Sequence, residues 1–162
     1  DILKNMMHVD FSWNVYGNVD SRFAEKITGL DHKALNIHLK GVVDAEQLKD
    51  IHSSSTVYYH SSYIENSSNA IVEAQMCACT PIANYVGGLS TLIKDGETGF
   101  CVPANDPYQT AYLIKYLYDN PQKNLEIGKT AQDTVMVKHD QNAIFTGLLK
   151  IYEDVICETK KI

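Results

Sequence analysis

Short runs of β-branched and aromatic residues alternate along this sequence with segments of helical periodicity, a pattern that predicts an α/β fold of βα units wound into a parallel sheet. Two further observations agree. Turn signals fall between the runs, at Gly17-Asn18, Gly87-Gly88 and Asp95-Gly96-Glu97-Thr98-Gly99. Asp106-Pro107 and Asn120-Pro121 each place a capping side chain ahead of a proline at the first helical position, which starts two helices late in the chain. With 162 residues, 44% of them apolar, the chain can bury one core and has the size of one ordinary domain.

Taken in order, a strand is expected over residues 13–16 and, after the Gly17-Asn18 turn, a short helix over 21–28. A second strand over 34–39 ends at Gly41. Residues 45–52 form a helix with Leu48 and Ile51 one turn apart, followed by a third strand, Thr56-Val57-Tyr58-Tyr59. A polar loop leads to a helix over 68–79. The fourth strand, over 81–85, is entered through Pro81, which a strand start tolerates. Phe100-Cys101-Val102 is the last strand. The closing segment, 141–158, sets Ile144, Phe145, Leu148, Leu149, Ile151, Tyr152, Val155 and Ile156 on one stripe, an amphipathic helix that docks against something apolar on this domain or another.

Composition excludes several classes. A net charge of −6 with one arginine, Arg22, is unsuited to a nucleic-acid surface, which needs clustered Lys and Arg. No apolar run reaches the roughly 18 residues of a bilayer span, and the first thirty residues or so lack a signal peptide's layout, so the chain reads as soluble and cytoplasmic. Cys77, Cys79, Cys101 and Cys157 include no C-x-x-C pair. They read as reduced thiols, neither a zinc site nor a disulfide framework.

Chemistry concentrates in residues 61–74, Ser-Ser-Tyr-Ile-Glu-Asn-Ser-Ser-Asn-Ala-Ile-Val-Glu-Ala, at the carboxyl end of the third strand and the start of a helix. Open α/β sheets bind ligands at such ends. Ser67 or Ser68 can cap the helix, whose first amides then offer an anion site that needs no basic side chain. On a helical wheel Ala70, Ile71, Ala74, Cys77 and Ala78 form one apolar face and Val72, Met76 and Cys79 another. Glu73 falls on the flank between them, where a carboxylate needs a hydrogen-bond partner. A ligand hydroxyl pair would satisfy it, and so would a lysine or water; Glu65 taken alone is equally compatible with a solvated loop acid. His60, beside this stretch, reads as structural, because a lone histidine carries little specificity.

These residues resemble the glycogen-synthase-like, "glycosyl transferases group 1" superfamily of retaining glycosyltransferases with the GT-B fold, whose pattern of an acid, seven residues and a second acid before alanine is met by Glu65-x7-Glu73-Ala74. The likeness continues in order through Thr80-Pro81-Ile82-Ala83, Val86-Gly87-Gly88, the run from Leu92 to Gly99, and Asn105-Asp106-Pro107. It covers residues 34–119 closely and the two ends loosely.

The resemblance implies a Rossmann-like, three-layer α/β/α domain with a parallel sheet, the nucleotide-sugar half of a GT-B fold. It implies that Glu73 accepts from the donor ribose hydroxyls and that Glu65 helps place the transferred sugar. Asn66, Ser67, Ser68 and Asn69 would cradle sugar and diphosphate, and Gly87 and Gly88 would allow close backbone approach. The backbone at Gly41, Val42 and Val43 would touch the base. Two departures stand out: Asn66-Ser67-Ser68-Asn69 replaces the frequent Gly-Phe-Gly, and the family's phosphate-binding arginine and lysine have no counterpart beyond Lys4. An asparagine can adopt unusual backbone angles, so the turn is expected to survive the first. The second fits a chain that opens inside the second domain, after its first strand, with the acceptor-binding domain absent and transfer by this portion alone not expected.

By the same resemblance the whole enzyme moves a sugar from a nucleoside diphosphate to a glycan or lipid-linked acceptor with retention, in polysaccharide biosynthesis, in the cytoplasm or peripherally at the inner membrane face. No cofactor is expected, and no D-x-D occurs, so no metal is expected either. Two other readings share the residues: a nucleotide-sugar epimerase, and a non-catalytic module docking partners through the Val72, Met76 and Cys79 face and the last helix.

Overall fold

The strand alternation decides which helix covers which face. In the computed structural model, which describes residues 1–6, 9–20, 22, 26, 29 and 35–159, five strands lie in two parallel sets. β1 (Trp13–Tyr16) pairs with β2 (Ile37–Gly41), Trp13 opposite Ile37. β3 (Val57–His60), β4 (Thr80–Asn84) and β5 (Phe100–Val102) pair in that order, with Val57 opposite Thr80 and Ile82 opposite Phe100. An edge-on contact between the rings of Trp13 and Tyr59, centroids 5.8 Å apart, links the two sets.

Five helices follow the strands: α1 (Ala45–Ser54), α2 (Asn69–Met76), α3 (Pro107–Asp119), α4 (Pro121–Lys138) and α5 (Gln141–Thr159). Short 3-10 turns span Leu3–Met6 and Gly87–Thr91. The helix expected over 21–28 lies outside the described residues apart from Arg22 and Lys26, as does Ala34 at the start of the second expected strand. β3 and β4 are each displaced by one residue from expectation. Thr80 joins the ladder, whereas Tyr85 leaves it for solvent.

Period-two alternation produces the three layers. On one face Val57, Tyr59, Ile82, Phe100 and Val102 pack on Leu113, Leu117 and Ile127 of α3 and α4. On the other, Tyr58, Ala83 and Cys101 pack with Ile71 of α2 and with Leu89 and Ile93. Met6 and Val9 extend the apolar contacts onto Ala111. Buried polar groups are tied to backbone: Thr80 Oγ1 donates to Asn124 O, the Asn124 amide donates to Thr56 O at 3.0 Å, and the Gln75 amide bridges Leu92 O and Thr98 O.

α2 is shorter than the expected 68–79, because Ala78 takes a left-handed conformation (φ 56°) and the Cys79 amide turns back to Ala74 O. Its two expected apolar faces merge into one buried arc of Ile71, Val72, Ala74 and Gln75. Val72 and Cys79 are therefore core, and the face expected as a docking surface in the non-catalytic reading is not presented to a partner. α5 differs: its eight apolar stripe residues are all exposed, so the described residues do not cover that stripe.

Gly128 sits where a Cβ would lie 2.2 Å from Ala78 O, which lets α4 rest directly on the turn after α2. Gly128→Ala should cost about 1–3 kcal/mol by overpacking despite alanine's better helix propensity; a urea midpoint equal to or above that of the parent would refute the contact. Burial also holds the His52 imidazole below its ordinary pKa of 6.5, against the opposing charge of Glu73. The unfolded chain then protonates first as pH falls, so stability present above pH 6.5 is lost progressively below it. Urea midpoints compared between about pH 7.5 and about pH 5.5 should fall less for His52→Phe than for the parent.

Candidate functional site

The carboxyl end of β3 carries a loop, 61–68, held from three sides. Asn84, the buried last residue of β4, donates its side-chain amide to Ser61 O and Ser62 O at 3.1 and 3.2 Å. Tyr63 donates its hydroxyl to Asn105 Oδ1 at 2.6 Å, joining the loop to the turn before α3. Gly87 and Gly88 lie against the backbone of Glu65 and Asn66: a Cβ would come within 1.7 Å of Glu65 O at position 87 and 2.1 Å of Asn66 O at position 88. Their close approach is thus to the neighbouring loop. Asn84 had no place in the sequence reading, yet an amide ending an otherwise apolar Pro-Ile-Ala run signals a buried polar group that needs partners.

Within the loop, Glu65 is half-buried. Its Oε1 accepts from the Asn66 amide at 3.1 Å, and its Oε2 lies 3.4 Å from His60 Nε2. Ser68 is the N-cap of α2 and is buried, but its side chain forms no capping hydrogen bond, contrary to expectation. Among the described residues nothing accepts from the amides of Asn69, Ala70 or Ile71, so the positive end of the helix is open. Asn66, Ser67 and Asn69 are exposed around it. None of the four loop residues adopts a positive φ, so the turn follows its path without glycine and without the unusual angles expected of asparagine.

Glu73 is corrected. It lies on the exposed stripe of α2 with Asn69, one turn earlier, and its carboxylate forms no hydrogen bond or ion pair with the described residues. The apolar faces on the wheel leave out Gln75, which is buried and satisfied by two carbonyls; its burial turns the opposite side, with Glu73, to solvent. The Glu73 charge nonetheless reaches inward: the Tyr58 phenol is pushed up to about 12 by burial first and then by Glu73.

Gly41 ends β2 at φ 75° with open space where a Cβ would be, and Val42 beside it is exposed. They follow the end of a strand, as expected, but in the β1–β2 pair; no hydrogen bond among the described residues joins them to Glu65. The four cysteines are free thiols, with Cys79 pushed up to about 12, chiefly by burial. Among the described residues no group of three or more His, Cys, Asp and Glu side chains is arranged to hold a metal ion, and no helix is long and apolar enough to cross a membrane.

A three-layer α/β domain with an acid and an open helix end after one strand and a glycine pair after the next is the architecture of a Rossmann-like half of a GT-B glycosyltransferase. The profile of the family described as Glycosyl transferases group 1 matches residues 1–134, and the chain belongs to that family. Among curated relatives, the D-inositol 3-phosphate glycosyltransferase of Acidothermus cellulolyticus is 31% identical over 115 residues, 71% of this chain and 25% of the relative. That of Arthrobacter sp. (strain FB24) is 35% identical over 89 residues, 55% of this chain and 21% of the relative. The chain thus spans about a quarter of the length of the curated relatives it matches. Solved structures agree in fold. Anabaena HepE in complex with UDP-glucose superposes with a TM-score of 0.78 at 17% identity, covering 94% of this chain and 44% of that one. Sucrose-phosphate synthase from Thermosynechococcus elongatus gives 0.79 at 24% identity, covering 97% and 42%.

The glycine contacts separate two costs. Gly41→Ala should lose only the left-handed backbone preference, about 1 kcal/mol, whereas Gly87→Ala (φ 50°) adds a backbone overlap with Glu65 and should lose several times more. Equal urea-unfolding free energies for the two variants would show that the two loops do not touch.

Proposed function

We propose that this chain is the donor-binding part of a retaining glycosyltransferase that moves a sugar from a nucleoside diphosphate to a glycan or lipid-linked acceptor. The observation that carries the reading is the open amino end of α2, flanked by the half-buried carboxylate of Glu65 before it and the exposed one of Glu73 one turn into it. Unpaired helix amides are suited to a diphosphate. A free carboxylate on the adjacent stripe is suited to a pair of ribose hydroxyls, and Glu65 to hydroxyls of the sugar.

Catalysis in such an enzyme consists of positioning and of stabilising the charge that develops on the departing diphosphate. The two acids do not act as a glycosidase pair, which would need a nucleophile and an acid across one bond. Acceptor recognition then belongs to a further domain of the whole protein, in keeping with the quarter of the curated relatives' length that this chain matches. The exposed stripe of α5 is a surface such a domain would cover. Sugar transfer without a metal, a role in polysaccharide assembly, and a cytoplasmic setting at the inner membrane face belong to the same proposal.

A ligand-observed NMR titration with UDP, GDP and ADP tests it. One diphosphate should bind with an affinity on the order of millimolar, and Glu73→Ala should weaken that binding about tenfold. Absence of binding here, and again once the upstream part of the protein is joined to this chain, would sink the donor-site reading.

A further inference from the structure

His60 closes β3 with its side chain 11% exposed, and its two ring nitrogens face different partners. Nδ1 lies 3.1 Å from the Tyr58 hydroxyl. Nε2 lies 3.4 Å from Glu65 Oε2, is itself buried, and forms no hydrogen bond among the described residues. A buried ring nitrogen without a partner is costly, and here it sits against a carboxylate oxygen that has no other partner among the described residues.

The Tyr58 hydroxyl can donate to Nδ1 or accept from it. A proton on Nε2 would face the Glu65 carboxylate, whereas a lone pair there would be repelled by it, so both contacts are met together when Tyr58 donates to Nδ1 and Nε2 carries the proton. The Glu65 carboxylate has a neighbour at both ends: Oε1 accepts from the Asn66 amide, and Oε2 faces the imidazole 3.4 Å away. Tyr58 and His60 share one face of β3, since they are two residues apart, and that face looks towards α2.

We propose that His60 is a positioning residue which holds the Glu65 carboxylate through Nε2–H, with Tyr58 fixing the imidazole tautomer; the proposal rests on the reading that Glu65 faces the transferred sugar. The consequence is selective. His60 governs how tightly the sugar moiety is held, while the diphosphate, bound at the amides of α2, does not depend on it.

Two measurements on the chain decide the matter. Long-range proton–nitrogen NMR spectra of the His60 ring should show the Nε2–H tautomer, lost as a single species in Tyr58→Phe; an Nδ1–H tautomer in the parent would overturn the proposal, because a lone pair would then face the carboxylate. Titrations with UDP and with UDP-glucose supply the second readout. His60→Phe should weaken UDP-glucose on the order of tenfold and leave UDP unchanged, whereas His60→Gln, which keeps a side-chain N–H donor, should recover most of the loss. Equal weakening of both ligands, or none of either, overturns it, and thermal unfolding of each variant separates a folding defect from these outcomes. If the parent binds neither ligand, and still binds neither once the upstream part of the protein is joined to it, the donor-site reading fails on its own, and the ring tautomer still decides whether His60 holds Glu65.

Discussion

Backbone packed on backbone, at Glu65-Asn66 against Gly87-Gly88, is the constraint on which the site depends. β3 and β4 are parallel neighbours, so the loops that leave them emerge side by side, and they can meet this closely only where one of them has no side chains. Asn84 then ties the first part of the same loop to the end of β4 through two carbonyls. The position of Glu65 is thereby set by main-chain geometry, which explains how Asn66-Ser67-Ser68-Asn69 can stand in a turn without glycine. With the path of the chain fixed from the neighbouring strand, the side chains of the turn are free to vary.

The electrostatics of the site follow from the same economy of side chains. The chain is acidic overall and has one arginine, and Glu65 and Glu73 would each repel a diphosphate placed close to them. On the proposed donor reading the tasks are separated: the amides at the amino end of α2 would face the diphosphate, and the two carboxylates, to either side of that end, the hydroxyl donors. Tyr58 and His60, beneath Glu65, add polar groups to the same end of the sheet.

Much of the fold was legible in the sequence, for identifiable reasons. Period-two runs in β3, β4 and β5 give both faces of a sheet that is covered on two sides, and Asp106-Pro107 and Asn120-Pro121 mark the starts of α3 and α4, although only Asp106 caps with its side chain and Asn120 donates its amide to Tyr116 O instead. The loop from Ser61 to Ser68 and the glycine pair were legible as places. Their partners were not, because spacing along a chain does not say which loop lies against Gly87. Glu73 was misplaced since the apolar faces of the wheel leave out Gln75, and only the carbonyls of Leu92 and Thr98 make it a buried residue. The approach of His60 to Glu65 depends on the loop folding back over the end of β3, and sequence separation alone carries no sign of that turn.

α5 lies apart from this network. Asp140 accepts from the Ala143 amide at its start, but its apolar stripe is exposed throughout. A helix of 19 residues whose apolar stripe is left exposed gains little from packing, and Gly147 weakens it further. Unfolding of this chain is therefore not a single cooperative event. Circular dichroism would record α5 fraying as a sloping baseline before the main transition, and amide exchange along 141–159 would run far ahead of the sheet, until something apolar covers the stripe and brings the helix into the same cooperative unit.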